Sequence, residues 1–318
     1  MSQGILFVDC DGFKPLPSNE SLRLISQGLP AEFSSEICQA KSELKKPNNA
    51  KILVSNNPDL ELFQQYRQTT PQGKTILVTS LPMHEYSAKL NNQEDSLVDH
   101  IISNRNVLGW TIHDLRVTLA KLISGDVFGI EKYLSPNTKI YKEVVRSSKE
   151  RDFLNNKVMQ FAQECHLGQH TSRMAFGITE ELLMNTIYDA PAAAGIERFQ
   201  NIDQTTEIEL EEQEYGTLSY GCDGRMLAIA SSDPFGALRK EKVLSYLKKV
   251  LNREKTEGLI DTKKGGAGLG LFKILYSSHA IICNVAPQKH TEIMALVDIN
   301  EQLRDFSSMA RSVHYFYG

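Results

Sequence analysis

Lys263-Lys264-Gly265-Gly266-Ala267-Gly268-Leu269-Gly270-Leu271-Phe272 decides how the second half of this chain is read. Gly266, Gly268 and Gly270 alternate with single small or apolar residues. Without a β-carbon, such positions let backbone N–H groups come close to a ligand and adopt positive φ. The apolar run from Leu271 to Tyr276 predicts a buried helix, so its free N–H groups and positive dipole end face the glycines. This is the chemistry of a phosphate cradle.

Three upstream and downstream segments supply what a cradle lacks. Met226 to Ser232 predicts an apolar strand that ends at Asp233, after which Pro234 and Gly236 turn the chain. A carboxylate at that place accepts a hydrogen bond from an exocyclic amine such as that of adenine, more strongly than a neutral group does. Thr179 to Asp189 predicts a helix with Glu181, Asn185 and Asp189 at i, i+4 and i+8, on one face. A carboxylate one turn from an amide suits a general base beside a Mg²⁺ ligand, because Mg²⁺ takes oxygen donors. His290 to Val297 predicts a strand whose Thr291 hydroxyl supports the base pocket.

Together, in this order, these elements resemble the GHKL family of ATPases and kinases, which includes gyrase, Hsp90, MutL and the histidine kinases. Glu181, Asn185 and Asp189 match its N box, Asp233 and Gly236 its adenine box, Gly266, Gly268 and Gly270 its second glycine box, and Thr291 its pocket threonine. The match runs from about Ser147 to Ile299. The adenine box of that family reads D-x-G-x-G, and here Phe235 takes the place of its first glycine. The resemblance implies an α/β-sandwich (Bergerat-type) domain that binds ATP and Mg²⁺. It implies Glu181 as the catalytic residue and Asn185 as the metal ligand. Asn185, Asp189, Asp233, Gly236, Lys263, Lys264, Gly266, Gly268, Gly270 and Thr291 are then the nucleotide contacts.

Within that family the chain is similar to the anti-sigma-factor serine kinases. The segment before the N box holds one amphipathic helix from Ser147 to Cys165, with no space for a phosphoacceptor hairpin. His166 and His170 are read as surface or capping residues. The basic, helically patterned stretch between Leu238 and Lys264 is expected to be a lid, with Lys263 and Lys264 nearest the phosphates and most of the other lysines solvated.

The first half predicts a different unit. Apolar runs at Ile5–Asp11, Lys51–Asn57, Lys74–Ser80 and Leu97–Ser103 alternate with helical stretches such as Leu60–Tyr66 and Ile112–Leu119. Strands of that kind belong to a doubly wound parallel sheet covered on both faces, with chemistry at their carboxyl ends. Those ends carry Asp9, Asp11, Ser55, Asn56, Thr79, Ser80 and Asn104. The pattern resembles a response-regulator receiver, with Asp9 and Asp11 at the acidic metal position and Thr79 or Ser80 at the switch. The acceptor aspartate is replaced by Ser55-Asn56-Asn57 and the late lysine is absent, so a receiver that takes no phosphoryl group is expected. Asp9-Cys10-Asp11-Gly12 also resembles the haloacid-dehalogenase phosphatases.

The 318 residues give room for two cores, read as 1–125 and 150–318 joined by a linker at 126–149. A net charge of −4 argues against a partner bound through nucleic-acid phosphates. Glu207, Glu209, Glu211, Glu212 and Glu214 are read as a solvated acidic patch. Five cysteines with no C-x-x-C predict free thiols in a reducing cytoplasm. No apolar run reaches membrane-spanning length. Two functions follow as expectations. One is a cytoplasmic kinase acting on a signalling partner, anti-sigma-antagonist-like or response-regulator-like, and able to homodimerise. The other is an ATP-responsive binding module with little turnover.

Overall fold

The computed structural model describes residues 4–44, 51–82, 85, 97–105, 109–243, 269–300 and 309–318. Eleven strands and several helices make it a mixed α/β chain. It divides into two compact units, Met1–Val127 with Arg304–His314, and Phe128–Leu303 with Tyr315–Gly318.

The first unit contains β1 (Ile5–Val8), α1 (Asn19–Ile25), β2 (Ala31–Ser34), α2 (Ile37–Leu44), β3 (Ile52–Ser55), α3 (Leu60–Thr69), β4 (Lys74–Thr79), β5 (His100–Ser103) and α4 (Trp110–Ser124). Strands β2-β1-β3-β4-β5 lie side by side and parallel, which is a doubly wound order. Every residue of β1 and β3 is buried, because a parallel sheet is covered on both faces. Alternate residues Ile5, Phe7, Ile52, Val54, Ile76 and Val78 share one core cluster with Leu22 of α1 and Leu115 and Leu119 of α4. Side-chain caps start two of the helices. Ser18 accepts from the Ser21 N–H, and Asp59 accepts from the Leu62 N–H at 3.1 Å.

One more strand, β11 (Ser312–Tyr317), joins from the end of the chain, with Ser312–His314 grouped with the first unit. It runs antiparallel to β5 in the register Val313↔Ile101 and His314↔His100. Three polar groups buried there bond to one another. Asp114 of α4 accepts from the Ser312 hydroxyl at 2.7 Å and stands 3.1 Å from His314 Nε2. Burial by itself would push the Asp114 carboxyl up, but His314 and Ser312 outweigh it and hold the carboxyl below the usual range.

The second unit is an antiparallel sheet with helices against it. Its strands are β6 (Tyr141–Val145), β7 (Gly216–Cys222), β8 (Met226–Asp233), β9 (Ala280–Ala286) and β10 (His290–Asp298), ordered β6-β7-β8-β10-β9. Helices α5 (Arg151–Glu164), α6 (Gln169–Met184) and α7 (Leu269–Tyr276) complete it. The Ser231 hydroxyl donates to the Leu182 carbonyl at 3.1 Å, holding α6 against β8. Glu180 is clamped by Arg151 and by Asn155 Nδ2 at 2.6 Å, fixing α6 to α5.

Two sequence expectations change here. Tyr141–Val145, inside the stretch read as a linker, is the edge strand β6, its alternating exposure being that of a strand with one face open. Within the acidic patch, Glu214 is buried against Arg198 and Glu211 also pairs with Arg198, so these two carboxylates fix local structure.

Candidate functional site

Asp233 is the last residue of β8 and only 3% exposed. Its Oδ1 accepts from the Phe235 N–H at 2.9 Å, which closes the turn that leaves the strand. Burial pushes the carboxyl up to about 6, against the pull of the Phe235 and Gly236 N–H groups. Thr291 is the cross-strand partner of Asp233. Its buried hydroxyl is near enough to favour the charged carboxylate but makes no hydrogen bond of normal geometry.

Gly236 explains why the turn tolerates Phe235 in place of a glycine. It has φ +59, and a β-carbon there would lie 2.1 Å from the Ala286 carbonyl oxygen. The steric demand for glycine falls on position 236, and Phe235 is spared it.

The helix carrying Glu181, Asn185 and Asp189 changes its pitch at the site. From Asn185 to Asp189 the backbone forms a π-turn, with the Ala190 N–H bonded to the Asn185 carbonyl. In an α-helix four residues overshoot a full turn, whereas in the wider π-turn they fall short of one. The drift between Glu181 and Asn185 is therefore largely undone between Asn185 and Asp189. Asp189 sits close enough to Glu181 for their charges to oppose each other. Burial comes first in pushing the Asp189 carboxyl up, with Lys242 and a 3.2 Å hydrogen bond from Gln204 acting the other way. Asn185 is half-buried, and its side chain makes no hydrogen bond among the described residues.

Gly270 reaches this cluster from α7. A β-carbon on it would stand 2.9 Å from Glu181 Oε2. One turn on, Lys273 Nζ donates to Glu181 Oε1 at 2.5 Å. The structure thus joins Glu181, Asp189 and Gly270 in one place, and in another it sets Thr291 opposite Asp233 through the register of β8 and β10, with Gly236 in the turn that follows. Lys263, Lys264, Gly266 and Gly268 lie outside the described residues.

Sequence reasoning missed Lys273, and it left Lys242 among cations read as solvated. The available signal was spacing, since Lys273 falls one turn after Gly270. Glu180 and Glu181, indistinguishable by type, are separated by the fold. The first is spent on Arg151 and Asn155, while the second faces α7. His166 has φ 58 immediately after α5, the left-handed conformation that ends a helix.

No family model and no curated protein matches this chain. Solved structures that match include a chain of the SiaB–SiaC complex from Pseudomonas aeruginosa, 13% identical, covering 57% of this chain and 98% of that one at a TM-score of 0.33. A likeness at that score carries no argument about this protein. Among the described residues, no helix is long and apolar enough to cross a membrane, and no group of three or more His, Cys, Asp or Glu side chains is placed to hold a metal.

Proposed function

We propose that the second unit binds ATP with Mg²⁺ in a GHKL-type pocket and transfers the γ-phosphoryl group to a partner protein. The single observation that carries the reading is Asp233, a buried carboxylate at a strand end, opposite a threonine hydroxyl that has no well-formed bond. A buried charge persists only where something repays its desolvation, and an exocyclic adenine amine does so. Asn185, whose amide has no partner among the described residues, is the residue that would hold Mg²⁺. Held there, the metal would supply charge neutralisation on the phosphates. Glu181 accepts the proton of the attacking hydroxyl, and the oxygen–phosphorus bond to the leaving diphosphate breaks as the new one forms. The N–H groups at the start of α7 would face the phosphates of a bound nucleotide.

One observation favours the second reading, an ATP-responsive module with little turnover. Lys273 holds Glu181 in an ion pair at 2.5 Å, so the carboxylate is engaged by a side chain rather than turned to an attacking hydroxyl. The first unit fits a receiver that takes no phosphoryl group, because its strand order is doubly wound and Asn56 occupies the strand end beside Asp9, its Nδ2 donating to Asp9 Oδ1 at 2.6 Å. Incubation with γ-labelled ATP and candidate partners separates the two readings. Label on a partner seryl residue supports the kinase. Nucleotide binding without label, with turnover appearing on Lys273→Met, supports the module. Absence of nucleotide binding overturns both.

A further inference from the structure

Helix α5 lies along β7 in a regular ladder. Lys157 Nζ is 2.6 Å from Glu143 Oε1, and Glu143 is the cross-strand partner of Leu218. One helical turn on, Phe161 meets Tyr220 edge to face with ring centroids 5.0 Å apart. A helix climbs about 6 Å in four residues and a strand about 6.6 Å in two. The next rung therefore places Cys165 opposite Cys222. The two thiols are close enough for each to feel the other electrostatically. Both are partly exposed, whereas Cys10 and Cys283 are buried and Cys38 is exposed elsewhere.

We propose that Cys165 and Cys222 form a redox-modification site, which a peroxide oxidises to an intramolecular disulfide that fastens the end of α5 to the end of β7. One thiolate attacks the peroxide O–O bond, so that a sulfenic acid forms and one water leaves. The second thiol displaces that oxygen as another water, and two S–H groups and one hydrogen peroxide become one S–S bond and two waters. A dithiol reductant reverses the reaction by exchange. Burial, and then the neighbouring Cys222, push the Cys165 thiol up to about 11. Cys165 is therefore protonated at neutral pH, which suits it to the second step, where a thiol displaces the sulfenic oxygen.

The pair is remote from the nucleotide pocket. Cys222 is the cross-strand partner of Leu227 near the start of β8, and Asp233 ends that strand. The inference is thus independent of the proposed ATP chemistry.

The test uses the full chain carrying Cys38→Ser, which removes the exposed thiol as a source of links between molecules. Hydrogen peroxide should lower the intact mass by about 2 Da. Peptide mapping should find Cys165 joined to Cys222, and dithiothreitol should restore both thiols. The thermal midpoint should rise by on the order of 5 °C in the oxidised form. Adding Cys165→Ser should abolish the mass loss and leave a trappable sulfenic acid on Cys222. Separate oxidation of both cysteines without a link between them overturns the proposal, as does a disulfide that survives in the Cys165→Ser variant.

Discussion

Asp233→Asn should move stability and nucleotide affinity in opposite directions. The substitution keeps the shape of the side chain and the acceptor for the Phe235 N–H, and it removes the charge. Raising a carboxyl from the ordinary aspartate value of 3.8 to about 6 corresponds to about 3 kcal/mol of cost for the ionised form in the folded state. The sign follows from the direction of the shift. With the folded value above the unfolded one, the proton-linked stability is fully present below about pH 4 and is lost as pH rises through about 6. The variant carries no such titration. The two proteins should match in this respect near pH 4 and diverge as pH rises. By pH 7.5 the variant should be more stable by about 1–3 kcal/mol, the lower figure allowing for a weaker bond to Phe235. ATP affinity at that pH should fall roughly tenfold to a hundredfold, the value of a charge-assisted hydrogen bond. The only tryptophan, Trp110, belongs to the first unit, so its fluorescence does not follow this one. Amide hydrogen exchange of β8 and β10 reports the stability, and titration calorimetry the affinity. Parallel stability curves from pH 4 to 7.5, together with unchanged affinity, would refute the reasoning at both steps.

Asn185→Ala should leave the melting curve within about 0.5 kcal/mol of wild type, because the side chain makes no hydrogen bond among the described residues. The difference in ATP affinity between Mg²⁺ and EDTA should vanish in it, as checked by calorimetry. Asn56→Asp puts a second carboxylate where an amide now donates to Asp9 at 2.6 Å, and it also removes bonds to the Cys10 and Lys14 carbonyls. The variant should lose about 1–3 kcal/mol and recover part of it with Mg²⁺, while wild type stays indifferent to the ion and to acetyl phosphate. Thermal shift and intact mass decide this. Asp114→Ala removes one side of a fully buried pair, and should destabilise the first unit by about 3–5 kcal/mol in a denaturant titration followed through Trp110.

Much of the parallel sheet was legible because its strands are buried on both faces and so read as unbroken apolar runs. Ile5–Val8, Ile52–Ser55 and Lys74–Thr79 are of this kind. Edge strands gave no such signal. In β2 only Ser34 is buried, and β6 alternates Tyr141, Lys142, Glu143 with one face open. Strand β11 escaped for another reason. Its Ser312 and His314 look like surface residues until Asp114, from a remote part of the sequence, satisfies them. At the candidate site, spacing identified Glu181 and Asp233 as positions of interest. It had no means of finding the π-turn, which depends on one backbone bond from Ala190 to Asn185, or the ion pair of Glu180 with Arg151.

The bond between Asp114 and His314 also sets a clock. The partners are separated by 200 residues, and a ribosome adds about 5–20 residues per second. Asp114 is therefore synthesised roughly ten to forty seconds before the imidazole that pairs with it. During that interval the nascent first unit holds four helices and five strands with an uncompensated acid at its centre and the edge of β5 uncovered. An unpaired edge of this kind is a template for wrong partners, so this is the stage at which chaperones have most to protect. Ribosome-arrested chains ending before Ser312 should bind a holdase, and release it once β11 has emerged.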